Sequence, residues 1–272
     1  MKKIIFLGIL ISLFIGCENH YYGNDYETDL VPPSPPTGLY ASARDSKVIL
    51  EWRHNPERDV AGYKVWWSTS YSGRYQYLGS TSQNYFVDRG AINGRTYYYA
   101  VSAYDFSGNE SQLSSDEAFA TPRPEGYGLV LYDYRANPDR AGYDFSTFSI
   151  GRYDDQYTDI FFEYYNGTYY MNVWEDTDIK DMGPTNSLYE IEIAPSGGWS
   201  PTKDVVLVVG RTYVVWTYDD HYAKFRVISL SPSRVVIDWA YQLQKGNPYL
   251  KRNTNAENRK LEPGIGFKSR IN

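Results

Sequence analysis

Cysteine is almost missing: one thiol, Cys17, stands in 272 residues. A lone thiol excludes an internal disulfide and a cysteine-built metal site. Histidine is scarce as well, with three in the chain: His20, His54 and His221. That leaves few bases for a nucleophile triad. No Gly-x-Ser-x-Gly elbow and no phosphate-cradling glycine loop occurs. Beyond residue 16 there is no long apolar run, so no membrane-spanning helix is expected there. Basic side chains are outnumbered, 27 against 33 acidic, for a net charge of −6. That sign argues against a polyanion partner, so no nucleic acid is expected to bind.

The chain does have a distinctive start. Met1-Lys2-Lys3 precedes a run from Ile4 to Ile15 that is apolar except for Gly8 and Ser12, and Gly16-Cys17 follows. A positive start with a short apolar core is the layout of an export signal. Twelve residues of helix reach only about 18 Å, short of a ~30 Å hydrocarbon core. Leu13-Phe14-Ile15-Gly16-Cys17 resembles the bacterial lipobox, although Leu13 stands four residues before the cysteine rather than three. The resemblance implies cleavage after residue 16 and lipidation of Cys17. A membrane lipid carried by Cys17 is then the first expected partner. Two or three acyl chains at ~0.8 kcal/mol per buried CH₂ would hold it firmly. Glu18, where some bacteria place an inner-membrane aspartate, favours the outer membrane or cell surface. Cleavage removes Lys2 and Lys3, leaving 25 basic against 33 acidic side chains and a charge of −8.

What is abundant is aromatic: 29 Tyr, 11 Phe and 7 Trp, among 22 Gly and 14 Pro. Such composition points to an all-β protein. Residues 17–36 read as a tether ending in Pro32-Pro33-Ser34-Pro35-Pro36, an extended spacer. Residues 37–122 alternate with period two. Val48, Leu50 and Trp52 share a face, as do Tyr63, Val65 and Trp67, and Tyr97, Tyr99, Val101 and Ala103. Turn pairs such as Asn55-Pro56, Ser72-Gly73 and Asn93-Gly94 separate these runs. Short strands at this spacing predict a β-sandwich.

This segment resembles a fibronectin type III domain. The matching residues are Pro35-Pro36-Thr37-Gly38-Leu39, Trp52, Asp59, Gly62-Tyr63-Lys64-Val65, Gly94-Arg95-Thr96-Tyr97, Val101-Ser102-Ala103-Tyr104-Asp105 and Gly108-Asn109-Glu110-Ser111. The resemblance implies a core role for Trp52 and a tyrosine-corner role for Tyr97. No Arg-Gly-Asp triplet is present.

Residues 123–126 read as a linker and residues 127–250 as a second antiparallel β-rich domain. Asn166-Gly167, between aromatic strands from Phe161 to Trp174, signals a hairpin. Runs 211–218, 222–230 and 234–243 predict a meander. That meander, from Gly210-Arg211-Thr212-Tyr213 through Ile237-Asp238-Trp239, resembles the end of HmuY-like lipoproteins. Asp144-Phe145-Ser146 and Thr158-Asp159-Ile160 fit the start of such a domain. The resemblance implies haem capture through paired histidines, of which His221 is the one this domain offers. Residues 251–272 read as a flexible polar tail.

Few residues offer chemistry. Asp176, Asp178 and Asp181 could give a cation some of its six to eight oxygens, but the full calcium-loop pattern is absent and a solvated acidic loop is the preferred reading. Outward-facing Trp66, Tyr98, Tyr164 and Tyr169 could form a platform for a protein or glycan. No cofactor is called for. The expectation is a non-enzymatic, membrane-anchored envelope lipoprotein that displays β-domains for adhesion or ligand binding. Haem capture through His221 is one alternative, and a glycan-active enzyme using paired acids is another.

Overall fold

The computed structural model describes residues 29–250 and 253–254. The expected export signal and Cys17 lie outside the described residues. The described residues form eighteen strands and two short 3-10 turns, with no α-helix among them. The chain is all-β, as expected.

The first sandwich comprises β1 (Tyr40–Arg44), β2 (Lys47–Glu51), β3 (Val60–Ser68), β4 (Gln76–Thr81), β5 (Tyr85–Asp88), β6 (Tyr97–Asp105) and β7 (Ala118–Ala120). One sheet runs β1-β2-β5 and the other runs β7-β6-β3-β4, all antiparallel. The period-two faces predicted from the sequence meet between the sheets. Val48, Leu50, Trp52, Tyr63, Val65, Tyr97, Tyr99, Val101 and Ala103 are all buried. Full burial of each large side chain contributes roughly 1.5–3 kcal/mol. Trp52 meets Tyr63 edge-on, with ring centroids 5.3 Å apart. The Tyr97 hydroxyl accepts a hydrogen bond from the Ile92 amide at 3.0 Å, which closes the predicted tyrosine corner.

The second sandwich contains β8 (Glu125–Tyr132), β9 (Gly142–Asp144), β10 (Ser149–Gly151), β11 (Ile160–Tyr165), β12 (Thr168–Asn172), β13 (Asp178–Pro184), β14 (Asp204–Val206), β15 (Arg211–Trp216), β16 (Tyr222–Ser231) and β17 (Arg234–Tyr241). Its sheets run β10-β9-β11-β12-β14 and β13-β15-β16-β17-β8. The predicted hairpin is β11–β12. Asn166 and Gly167 take φ of 47° and 82°, both positive, as a tight two-residue turn requires. The predicted meander is β15–β16–β17. Aromatic rings fill this core: Phe145 stacks on Tyr241, and Tyr213 stacks on Phe225 at 5.0 Å.

Three boundary expectations need correction. Residues 123–126 are no loose linker. Arg123 is fully buried and β8 begins at Glu125. The Tyr241 amide donates to Pro124 O, and Gln244 Nε2 reaches Gly94 O at 3.0 Å in the first sandwich. Two flanking prolines look like a spacer, yet here they merely carry the chain from one core into the next. Likewise the end of the expected tether, residues 29–36, lies on the first sandwich. Pro33 and Pro36 are buried, and the Ser34 amide donates to Glu57 Oε1 at 2.8 Å. Finally, Asn253–Thr254 of the expected tail form β18 and pair with β7. β7 is otherwise a sheet edge with open backbone groups, and such an edge accepts another strand.

Candidate functional site

The first sandwich carries a cleft of about 440 Å³ on the outer face of the sheet that holds β3 and β6. Trp66, Gly73, Tyr75, Glu110, Ser111, Gln112 and Leu113 line it. Tyr63 and Val65 of β3 point into the core, so Trp66 between Val65 and Trp67 must point out. Its indole is held in place. Trp66 Nε1 donates to Ser102 Oγ at 3.0 Å, and Ser102 Oγ donates to Glu110 Oε1 at 2.5 Å. Lys64 Nζ then bonds the second carboxylate oxygen, Glu110 Oε2, at 2.6 Å. Burial pushes the Glu110 carboxyl up, but the Lys64 and Ser102 bonds outweigh it and hold the carboxyl below its usual value. The cleft therefore combines a fixed, partly exposed indole with a carboxylate, a primary amide and hydroxyls. Around it Tyr77 meets Trp66 edge-on at 5.6 Å, and Tyr71, Tyr98 and Phe119 form a run of rings with spacings of 6.2 and 5.1 Å.

The sequence had placed Trp66 and Tyr98 on an outer face, and both are there. Tyr164 and Tyr169 are not. They pack on the second core, 5.1 Å apart, in phase with the buried Phe162 and Met171. Glu110, Gln112 and Tyr75 reach the cleft from loops, which period-two reading does not address. The sole sequence hint was the Gly108-Asn109-Glu110-Ser111 turn, which pairs Glu110 back onto Tyr104.

Asp176, Asp178 and Asp181 do not form a common site. Asp178 and Asp181 both belong to β13, and an odd spacing of three sets them on opposite faces. Asp178 binds Lys203 Nζ at 2.7 Å, and Asp181 binds Arg211 Nε at 2.8 Å. Asp178 is also buried, so this stretch is no solvated acidic loop. Three other acids do converge: oxygens of Asp29, Asp59 and Asp105 lie within 4.8 Å of one another. Asp105 there already accepts from the Asn109 amide and side chain.

His221 sits in the β15–β16 turn. Its ring stacks on Tyr241 at 5.4 Å, and its Nδ1 lies 3.1 Å from Gln242 O. His54 belongs to the first sandwich, with its ring beside Tyr63. The two described histidines are thus held by separate cores, and paired ligation of one iron does not follow from them. His20 lies outside the described residues.

No known family pattern matches the chain. It is 32% identical over 105 residues to an amylopullulanase of Thermoanaerobacterium saccharolyticum, covering 38% of this chain and 8% of that enzyme. It is 35% identical over 94 residues to an amylopullulanase of Thermoanaerobacter thermohydrosulfuricus, covering 34% of this chain and 6% of that enzyme. The chain thus spans less than a tenth of these relatives' length. Among solved structures, a Fn3-like protein from Clostridium thermocellum is 31% identical, with a TM-score of 0.29. The match covers 35% of this chain and 98% of that protein. Two antiparallel sheets, in the orders β1-β2-β5 and β18-β7-β6-β3-β4, a buried Trp52 and a tyrosine corner at Tyr97 give the first sandwich the features that its resemblance to a fibronectin type III domain implied.

Proposed function

We propose that this chain is a non-catalytic, lipid-anchored envelope protein whose first sandwich binds a carbohydrate in the Trp66 cleft. The observation that carries the reading is the immobilised indole. A pyranose ring offers an apolar face to an aromatic ring and hydroxyls at its rim. Trp66 supplies the ring. Glu110, Gln112 and Ser111 supply acceptors and donors around it. Pockets that bind small ligands combine an apolar wall with a few placed polar groups in this way. Because the Trp66 bond to Ser102 already fixes the indole, little side-chain entropy is lost on binding. The partial likeness to amylopullulanases supports polysaccharides as the ligand class and makes α-glucans the first to try. Anchoring through Cys17 would leave the cleft facing whatever surrounds the cell.

Titration calorimetry of the full chain against maltooligosaccharides, pullulan fragments and cell-wall glycan fragments tests this. Binding of one class is expected, weakened at least about tenfold by Trp66→Ala, since losing a stacked ring costs ~1.5 kcal/mol or more. Equal affinity of wild type and Trp66→Ala for every glycan bound would refute the cleft. Release of reducing ends by the purified chain would refute the non-catalytic reading.

A further inference from the structure

The two outer faces of the second sandwich are unlike. The sheet β13-β15-β16-β17-β8 is covered around β15 by the protein's own chain. Ala194 and Leu250 are buried there against Val214, with Ile191 and Trp199 packed around them. The sheet β10-β9-β11-β12-β14 presents aromatic rings instead. In β11, Ile160 and Phe162 point into the core, so Phe161 and Glu163 point out. In β12, Tyr169 and Met171 point in, so Tyr170 and Asn172 point out. Across the hairpin Phe161 stands opposite Asn172, and Glu163 opposite Tyr170.

Four rings run in a row over that face. Trp174, which follows β12 and is 40% exposed, lies 5.4 Å from Phe161. Phe161 lies 5.6 Å from Tyr153, and Tyr153 lies 4.7 Å from Tyr134. Tyr134 and Tyr153 come from the loops after β8 and β10. Beside the row, Glu163 is fixed at both oxygens. Its Oε1 accepts from Arg135 Nη2 at 2.5 Å, and its Oε2 accepts from Asn172 Nδ2 at 3.1 Å. The Arg135 guanidinium lies over two rings, 4.6 Å from the Tyr134 centre and 5.0 Å from the Tyr165 centre. Arg152, over the Tyr153 ring, is paired with Asp139 and Asp154. Each guanidinium at the row thus has its carboxylate.

We propose that this row is a second binding site, and that it takes an extended chain of uncharged sugars. Each ring can stack on the apolar face of a pyranose, while Arg135, Glu163 and Asn172 exchange hydrogen bonds with its hydroxyls. These three side chains already hold one another, so little of their entropy is lost on binding. Paired charges leave no excess of either sign to draw an ionic ligand. Four rings in a row favour a polymer over a single sugar. A protein partner fits less well, because the middle of a protein interface is depleted of charged side chains and Glu163 projects from the strand that carries Phe161. The row shares its ligand class with the Trp66 cleft but no residue, so either site holds without the other.

The full chain is run in native gels that contain soluble starch, pullulan, laminarin or xylan, with polygalacturonate as the anionic comparison. Retardation by at least one neutral polymer is expected. Trp66→Ala should keep part of it, and adding Trp174→Ala should remove the rest. Trp174→Ala alone, an exposed substitution that leaves the core intact, should weaken binding at least about fivefold, and Tyr153→Ala should do the same. Retardation that neither Trp174→Ala nor Tyr153→Ala changes overturns this site and spares the cleft. Retardation that Trp174→Ala lowers and Trp66→Ala leaves alone supports this site and refutes the cleft. Retardation by polygalacturonate alone overturns the uncharged ligand. Binding of no polymer overturns both sites. Where the chain instead self-associates in sedimentation and Trp174→Ala abolishes that, the row is a contact between two copies and the proposal falls.

Discussion

The two sandwiches share a device and differ in what they bury. Each has the sequence Gly-Arg-Thr-Tyr leading into a central strand, at residues 94–97 and 210–213. In each the tyrosine hydroxyl accepts from the amide five residues earlier, Ile92 for Tyr97 and Val208 for Tyr213, both at 3.0 Å. The cores around these corners diverge. Alanines 41, 43, 91, 103, 118 and 120 make the first core small and close-packed, and its buried Asp88 is met by the Tyr99 hydroxyl at 2.8 Å. The second core is aromatic, and ionic side chains are sealed around it: Asp159, Lys224, and Arg123 with Glu125 at the junction. The buried acids of the first sandwich, Asp88 and Asp105, are each met by hydrogen-bond donors. A core ringed by sealed charges depends on each charge keeping its partner, because a stranded one costs several kcal/mol.

Arg123 puts the largest strain on that comparison. Its NH2 lies 3.4 Å from Glu125 Oε1, and both side chains are sealed from solvent. Burial drags the guanidinium down to about 10, against the pull of Glu125. Glu125 Oε2 also accepts from Tyr127 and Tyr189, and the Arg44 guanidinium lies 3.5 Å from the Tyr189 ring centre. Arg123→Met keeps the volume but strands Glu125, and the expected loss is about 3 kcal/mol by urea unfolding. Adding Glu125→Gln should recover at least half. A double variant no more stable than the single would show that Arg123 acts by packing, and the contrast between the cores would lose its main support.

The two corners allow a closer comparison. The Tyr97 hydroxyl accepts one bond, from the Ile92 amide. Tyr213 has two, since its hydroxyl also donates to Val206 O at 3.0 Å. Tyr97→Phe should cost about 1 kcal/mol and Tyr213→Phe about 2, by paired denaturant titrations. Equal costs would mean that the second bond adds nothing net. The order Tyr97 above Tyr213 would show that the corner matters more where the core is small.

These elements also show what a sequence exposes and what it conceals. The β11–β12 hairpin was legible because Asn166-Gly167 is a local signal between two long alternating runs. The meander was legible for the same reason. β13 was not. Asp178, Lys180 and Asp181 make it look like a solvated loop, while the partners that neutralise it, Lys203, Gly197 O and Arg211, come from 17 to 30 residues away. β9 and β14, at three residues each, are too short to show a period. At the cleft, the outward phase of Trp66 could be read from its strand. Glu110, Gln112 and Tyr75 could not, since loop side chains have no phase. Nothing local in the sequence marks Asp159, whose Oδ1 the fold leaves without a hydrogen-bond partner.

The smallest effect concerns how the first sandwich holds residues 29–36. It uses a half-buried carboxylate, Glu57, where the second sandwich seals Asp159 fully. Hydrogen bonds from Ser34, and more weakly from Asn55, hold Glu57 at about 2 against its ordinary 4.5. A depressed carboxyl binds its proton more tightly in the unfolded chain. Its contribution is therefore complete above pH 4.5 and is lost as pH falls toward 2. Solvent screens the bond, so the shift in unfolding midpoint across that window should be only ~1–2 °C. Exchange of the Ser34 amide proton is the better readout. In wild type its protection should fall as pH drops from 4.5 toward 2, after correction for intrinsic rates. In Glu57→Gln that pH dependence should vanish. Protection that is unchanged by pH in wild type would mean that Pro33 and Pro36, by burial alone, keep the segment in place. The hold of the first sandwich on this segment would then owe nothing to the Glu57 charge.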